Sequence, residues 1–171
     1  MQDDFKLLQI KTPVVQIPDE NNSIYVKRDD LLPFSFGGNK VRIALEFIND
    51  MKNQGKDCIV GYGNARSNLS RALANLCYQF KIPCHIISPA DEDGTRIDTC
   101  NSKMVLSCDA KFHYCKKTNV KETVEKVLKD LREEGLSPYY IYGDSTGKGN
   151  EHTPMLAYTK VYEEIKNQYD Y

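Results

Sequence analysis

Short apolar runs alternate with longer amphipathic stretches along most of this chain, and that alternation limits the folds open to it. "SIYVKRDD" reads as a strand running into a polar turn, and "NKVRIALEFINDMKNQ" as a helix with Val41, Ala44, Leu45 and Ile48 on one face and Gly55 as its stop. "DCIVGYG" is a buried-type strand, "ARSNLSRALANLCYQFK" a helix and "IPCHIISP" a further strand. "GTRIDTCNSKMVLSC" is expected to hold a short helix and a strand, and "AKFHYC" an extended piece. "NVKETVEKVLKDLREEG" is strongly amphipathic, "PYYIYG" is a strand, and "TPMLAYTKVYEEIKNQ" is the last helix. Strand, helix, strand repetition implies an α/β fold with a parallel sheet covered by helices on both faces, a three-layer arrangement joined by right-handed crossovers.

Composition narrows the functional classes. The 171 residues, 40% of them hydrophobic, suffice for one ordinary core or for a domain plus part of another. Lys and Arg number 23 against 24 Asp and Glu, spread evenly, so no field is present to draw nucleic acid or an anionic membrane. "MQDDFKLLQI" lacks the basic start and apolar core of a secretion signal, and no apolar run is long enough to span a bilayer, which points to a cytoplasmic protein. None of the six cysteines forms a C-x-x-C pair, and several sit in apolar runs, so free thiols are expected and no metal site.

Parallel sheets bind ligands beyond the carboxyl ends of their strands. Two segments there stand out, "GYGNARSN" after Val60 and "GDSTGKGN" after Tyr142. The first opens a helix whose free N–H groups suit an anion, with Asn64 or Ser67 as alternative caps. The second imitates a phosphate loop, but its glycine spacing is wrong and Gly149 stands where Ser or Thr is needed.

"FSFGGNKVR" raises a different question. Two glycines bend the chain immediately before Asn39 and Lys40, at the start of a helix. Lysine chemistry requires an amine rather than a solvated ammonium, and the positive end of a helix disfavours added positive charge. On the residues by themselves, a solvated Lys40 remains the simpler reading, since lysines are mostly exposed.

"VKRDDLLPFSFGGNKVR", followed after a helix and a strand by "RSNLSRALANLCYQFKIPCHII", resembles the pyridoxal-phosphate enzymes that include aminocyclopropane-carboxylate deaminase and D-cysteine desulfhydrase, of the tryptophan-synthase-beta-like fold type. The resemblance implies pyridoxal 5'-phosphate as cofactor, held covalently by the amine of Lys40, with Asn39 lining its site. It implies that Asn68 meets the cofactor's phenolic oxygen or the carboxylate of a small amino-acid substrate, and that Ser67 lies against that substrate with a part in catalysis. Ser67, Asn68 and Arg71 match the family's S-N-x-x-R pattern. The sequence departs from the family at Gly63, Asn64, Ala65 and Arg66, and at Leu69, where the family has His or Gln; Arg66 and Leu69 would reshape the carboxylate site, and Leu69 is kept among the substrate-binding candidates. "GDSTGKGN" loosely echoes a family glycine segment, which makes Gly143 and Ser145 candidates for a site wall.

Family members are about twice this length, and the resemblance covers their first half. The family's Ser-, Gly- and Thr-rich phosphate loop, its pyridine-nitrogen partner and its catalytic tyrosines follow an "F-D-Y" like the closing "NQYDY". The expected organisation is residues 1–50 as the N-terminal part of a large cofactor domain, 51–143 as a small α/β domain, and 144–171 as a return to the large domain, which is cut short. The chain then reads as the N-terminal half of a lyase or deaminase, inactive in isolation, working as a homodimer or with a complementing second chain. The alternatives are a truncated binding or regulatory module of the same fold, and an unrelated α/β protein that binds a small anion.

Overall fold

The chain's first two strands, β1 (Val14–Gln16) and β2 (Tyr25–Lys27), pair antiparallel in the computed structural model, which describes residues 11–20, 24–90 and 98–168. The reading of "MQDDFKLLQI" and the last three residues of "NQYDY" lie outside the described residues. β1 carries three residues beside Pro13, too short a run for periodicity to mark, and the sequence reading missed it.

The remaining strands form one parallel sheet. β3 (Cys58–Tyr62), β4 (Cys84–Ala90), β5 (Lys111–Lys116) and β6 (Pro138–Tyr140) lie in the order β5-β4-β3-β6, every pairing parallel. The alternation along each strand divides the core in two. On one face α1 (Asn39–Asn53), α2 (Asn68–Gln79) and α3 (Cys100–Ser107) contribute Phe47, Ile48, Leu73, Leu76 and Val105 to a cluster with Ile59 and Ile86. On the other, α4 (Val120–Glu133) lays Val124, Val127, Leu128 and Leu131 on Cys58, Val60, Ile87 and Tyr140. Each such side chain, fully buried, is worth about 1.5–3 kcal/mol against leaving it in water. The three layers expected from the sequence are therefore present.

Several details differ from expectation. The buried face of α1 runs through Val41, Ile43, Ala44, Phe47, Ile48 and Met51, while Leu45 is only partly buried, because the helix is covered by α2 and by α5 (His152–Lys166) together. α2 begins at Asn68, three residues after the expected Ala65. The strand expected in residues 94–108 does not form among the described residues: Met104, Val105 and Leu106 belong to α3, which starts at a capping box built by Thr99 and Ser102, and residues 94–97 lie outside the described set. Gly55 does stop α1, with φ +66° and its N–H on the Lys52 carbonyl. All six cysteines are free thiols; Cys58, Cys77 and Cys84 are buried, and burial pushes the Cys58 thiol up to about 12.

α5 runs antiparallel to α1 and is pinned to it at intervals. Thr153 Oγ1 and Tyr139 Oη both reach Asp50 Oδ2 (3.4 and 2.5 Å), Lys160 pairs with Glu46 (2.6 Å), and Arg42 pairs with Glu164 (2.8 Å). Arg42 also holds Asp29 in a two-point contact of 2.8 and 2.9 Å, and Lys27 meets Glu164 at 2.6 Å. Thr12 completes this cluster by donating its N–H to Glu164 (2.7 Å) and its hydroxyl to Asp29 (2.9 Å). Burial opposes ionisation of Glu164, but the hydrogen bonds from Lys27 and Arg42 outweigh it and lower its pKa.

Candidate active site

Five consecutive residues, Phe34 to Gly38, have positive φ between 51° and 93°, immediately before α1. Three of them carry side chains, and such conformations persist only where surroundings enforce them. The enforcement is visible. Gly38 N–H donates to the Asp29 carbonyl (2.7 Å), Gly37 N–H to that of Phe34 (2.9 Å), and Phe34 packs on the core beside Phe80. Gly37 sits so close to the Asp30 carbonyl that any Cβ there would collide with it. The turn buries Ser35 and turns Phe36 outward, 79% exposed, with the Arg71 guanidinium 5.8 Å above its ring. That contact joins the lysine turn to the start of α2.

Lys40 occupies the second position of α1, half-buried, and its amine has no hydrogen-bond or ion-pair partner among the described residues. Asn39, exposed beside it, donates its amide to Tyr158 Oη on α5 (2.9 Å).

At the end of β3 the chain turns through Gly63. Asn64 is not the helix cap: its side chain accepts from Arg66 N–H (3.0 Å) in a local turn. Ser67 is the cap, its Oγ accepting from Ser70 N–H (3.1 Å). The N–H groups of Asn68 and Leu69 have no acceptor among the described residues, as the first turn of a helix requires. Ser70 is 1% exposed, yet its Oγ has no partner among the described residues; a Cβ built on Gly63 would lie 2.5 Å from it and from Ser67 Oγ. Arg71 Nε is likewise enclosed and unpartnered. Leu69 turns its side chain onto the core, so of that residue only the backbone N–H faces the helix start.

α3 secures this segment from the side. Thr99 Oγ1 donates to the Ala65 carbonyl, and Asn101 Nδ2 donates to both the Arg66 carbonyl (2.8 Å) and Asn68 Oδ1 (3.0 Å). No local pattern around Asn101 marks it, since its partners lie 33 and 35 residues away.

The glycine segment after β6 has a different use. Asp144 Oδ1 accepts from Thr146 N–H, Lys148 N–H and the Thr146 hydroxyl, Gly147 N–H goes to the Asp144 carbonyl, and Gly149 N–H to Glu151. These hydrogen bonds, led by the Thr146 hydroxyl, hold the Asp144 carboxyl below the usual range. Ser145 donates to Glu125 of α4 (2.7 Å). A loop whose amides are already taken this way offers no phosphate cradle.

The donors at the α2 start, the enclosed Ser70 hydroxyl and the unpartnered Lys40 amine together suit an electrophilic carbonyl flanked by anionic oxygens. They therefore fit the covalent end of a pyridoxal cofactor and an amino-acid carboxylate; a nest for its phosphate is not found among the described residues.

The chain is similar to known proteins over most of its length. The family model described as pyridoxal-phosphate dependent enzyme matches residues 5–171. D-cysteine desulfhydrase of Serratia proteamaculans is 29% identical over 151 residues, covering 85% of this chain and 44% of that protein. The enzyme of the same name from Klebsiella pneumoniae is 28% identical over 180 residues, covering 95% of this chain and 51% of its own length. The crystal structure of an ACC deaminase homologue superposes with a TM-score of 0.78 at 22% identity, covering 96% of this chain and 50% of that one, which shows a shared fold. The chain spans about half the length of the curated relatives it matches. On the family match, the chain belongs to the pyridoxal-phosphate dependent enzymes.

Proposed function

We propose that this chain is the N-terminal half of a pyridoxal-phosphate-dependent lyase or deaminase acting on a small amino acid, of the D-cysteine desulfhydrase or aminocyclopropane-carboxylate deaminase type, and that it is inactive in isolation. The observation that carries the proposal is the Lys40 amine, without a partner among the described residues and placed just after a turn of positive φ that also touches the α2 start through Phe36 and Arg71. The names of the relatives and the half-length coverage support the reaction class and the missing half.

When bound, pyridoxal phosphate supplies an electron sink for charge that develops on the amino acid's carbon atoms. Lys40 Nζ would hold it covalently and move a proton, Asn39 would line its site, and Asn68 Nδ2 would meet its phenolic oxygen or the substrate carboxylate. The Asn68 and Leu69 N–H groups and the Ser67 hydroxyl would orient the substrate carboxylate. Residues 1–50 and 144–171 would belong to the cofactor domain and 51–143 to the small domain, completed in the cytoplasm by a second chain or within a homodimer. A non-catalytic binding module of the same fold is the competing reading, favoured by the self-bonded loop at Asp144.

Incubation with pyridoxal phosphate, borohydride reduction and peptide mass mapping tests the proposal. A stable adduct on Lys40 that vanishes in K40A supports it, and labelling spread over surface lysines overturns it. Pyruvate or ammonia release should be absent for the isolated chain and appear on mixing with a polypeptide that supplies the other half; release by the pure chain overturns the inactive assignment.

A further inference from the structure

We infer that Asn101 is a positioning residue that sets the polarity of the Asn68 carboxamide and so makes Asn68 a hydrogen-bond donor toward the ligand. The inference rests on the reading of Asn68 as ligand-facing given above.

The Arg66 carbonyl oxygen can only accept, so the Asn101 atom 2.8 Å from it must be its NH₂ nitrogen. That same nitrogen lies 3.0 Å from the Asn68 side chain, which must therefore present its oxygen there. With Oδ1 committed to Asn101, the Asn68 NH₂ is the end left over, and it has no acceptor among the described residues. A backbone carbonyl thus fixes two successive carboxamides. Asn39 differs: its partner Tyr158 Oη can either donate or accept, so its orientation is not dictated in this way.

The consequence is selectivity for oxygen ligands with lone pairs. The Asn68 NH₂ joins the free N–H groups of Asn68 and Leu69 and the enclosed Ser70 hydroxyl, so the α2 start offers donors to a carboxylate or phenolate and no side-chain acceptor from Asn68 to a competing amine. Asn101 reaches this site from α3, a separate element held to the Ala65–Arg66 backbone by Thr99 as well.

The ligand-free chain gives the primary test, by NMR of side-chain amides. In the wild type the Asn68 NH₂ protons should exchange rapidly with water. In N101D the carboxylate can donate to neither the Arg66 carbonyl nor Asn68 Oδ1, so the contact that fixes Asn68 is lost and its NH₂ signal should move; in N101A the Asn68 amide should likewise lose its fixed orientation. Slow Asn68 exchange in the wild type, or an Asn68 signal unmoved by both substitutions, overturns the inference. Melting temperatures should stay within about 3 °C of wild type, because Asn68 is exposed and Asn101 only half-buried.

Pyridoxal phosphate titration, read by the visible band of the Lys40 adduct, gives the second readout. N101A should weaken binding about three- to tenfold, the worth of one ordinary hydrogen bond. The N68A/N101A double variant should bind no worse than N68A; full additivity of the two losses would overturn the relay. K40A separates the two claims. If the band survives K40A, the assignment of Lys40 fails, while the NMR result still decides the role of Asn101.

Discussion

Arg42 Nη1 lies 2.8 Å from Glu164 Oε2 and so ties α1, which carries the candidate site lysine in its first turn, to α5. The same guanidinium grips Asp29 through two hydrogen bonds, and Asp29 in turn holds Gly38 N–H with its backbone carbonyl. One side chain therefore connects the turn before Lys40, the first helical turn of α1 and α5.

Removing Arg42 should unfasten that junction. In R42A, Glu164 keeps only Lys27 as a cationic partner among the described residues, and Asp29 loses its guanidinium. Both Arg42 and Glu164 are largely enclosed, so the loss should be about 2–3 kcal/mol, below the range for fully dry pairs because some solvent reaches them. Urea unfolding checks this, and R42K, which cannot grip Asp29 at two points, should fall between.

The two glycines of the lysine turn should respond differently to alanine. Gly38 (φ +93°, ψ 158°) has open space where a Cβ would go, so G38A should cost about 1–3 kcal/mol from conformational strain alone. G37A adds a collision with the Asp30 backbone and should cost roughly 1–3 kcal/mol more. Thermal unfolding of the pair of variants gives the comparison. Equal losses would mean that the turn can shift away from Asp30.

Ser70 should show a conflict between stability and binding. Its enclosed hydroxyl has no protein partner, so S70A should leave the ligand-free fold unchanged or more stable by up to about 1 kcal/mol. The same variant should bind pyridoxal phosphate or an amino-acid carboxylate more weakly. Calorimetric melting and cofactor titration measured on one preparation test both halves of the statement.

Below neutral pH the sheet should weaken through two histidines. His85 Nδ1 and His113 Nε2 lie 2.9 Å apart on adjacent strands β4 and β5, an arrangement that holds only while at least one ring is neutral. Burial, reinforced by His113 and Lys111, pushes His85 down to about 4 from its ordinary 6.5. His113 is lowered by burial and by Lys111, with Asp130 of α4 opposing. Between about pH 6.5 and 4 the unfolded chain thus binds protons that the folded chain does not, and stability falls as pH drops through that window. Urea midpoints from pH 7 to 5 should decline in the wild type and flatten in H85N/H113Q, whose amides can bridge the same positions without titrating. Glu164, held below its ordinary value, contributes its own loss only at lower pH.

The order of strands and helices was legible because burial leaves a local record. Cys58, Ile59 and Val60 form an unbroken apolar run, and Val124, Val127, Leu128 and Leu131 repeat at the helical period. Lys40, Ser67 and Asn68 stood out because glycines and a cap mark where helices begin, and the motif around them carries the family resemblance. Their places on the helix starts match that reading, and their roles remain the proposal above.

Tertiary structure decided the rest, since it depends on partners that no local window contains. The α2 start moved from Ala65 to Asn68 because Thr99 and Asn101 hold the backbone of residues 65 and 66 from another helix. Ser145 bonds to Glu125, and Asp144 consumes the amides of a loop that by composition resembles an anion site. The sequence by itself determined most of the segments that become strands and helices, and that Lys40 stands at a helix start behind two glycines. Only the fold decided which buried charges meet, as at Arg42, Asp29 and Glu164, and which end of Asn68 faces outward. Hydrophobic period is a property of neighbours along the chain, whereas hydrogen-bond polarity and ion pairing are settled by residues brought together from 33 positions apart, as Asn68 and Asn101, or 122, as Arg42 and Glu164.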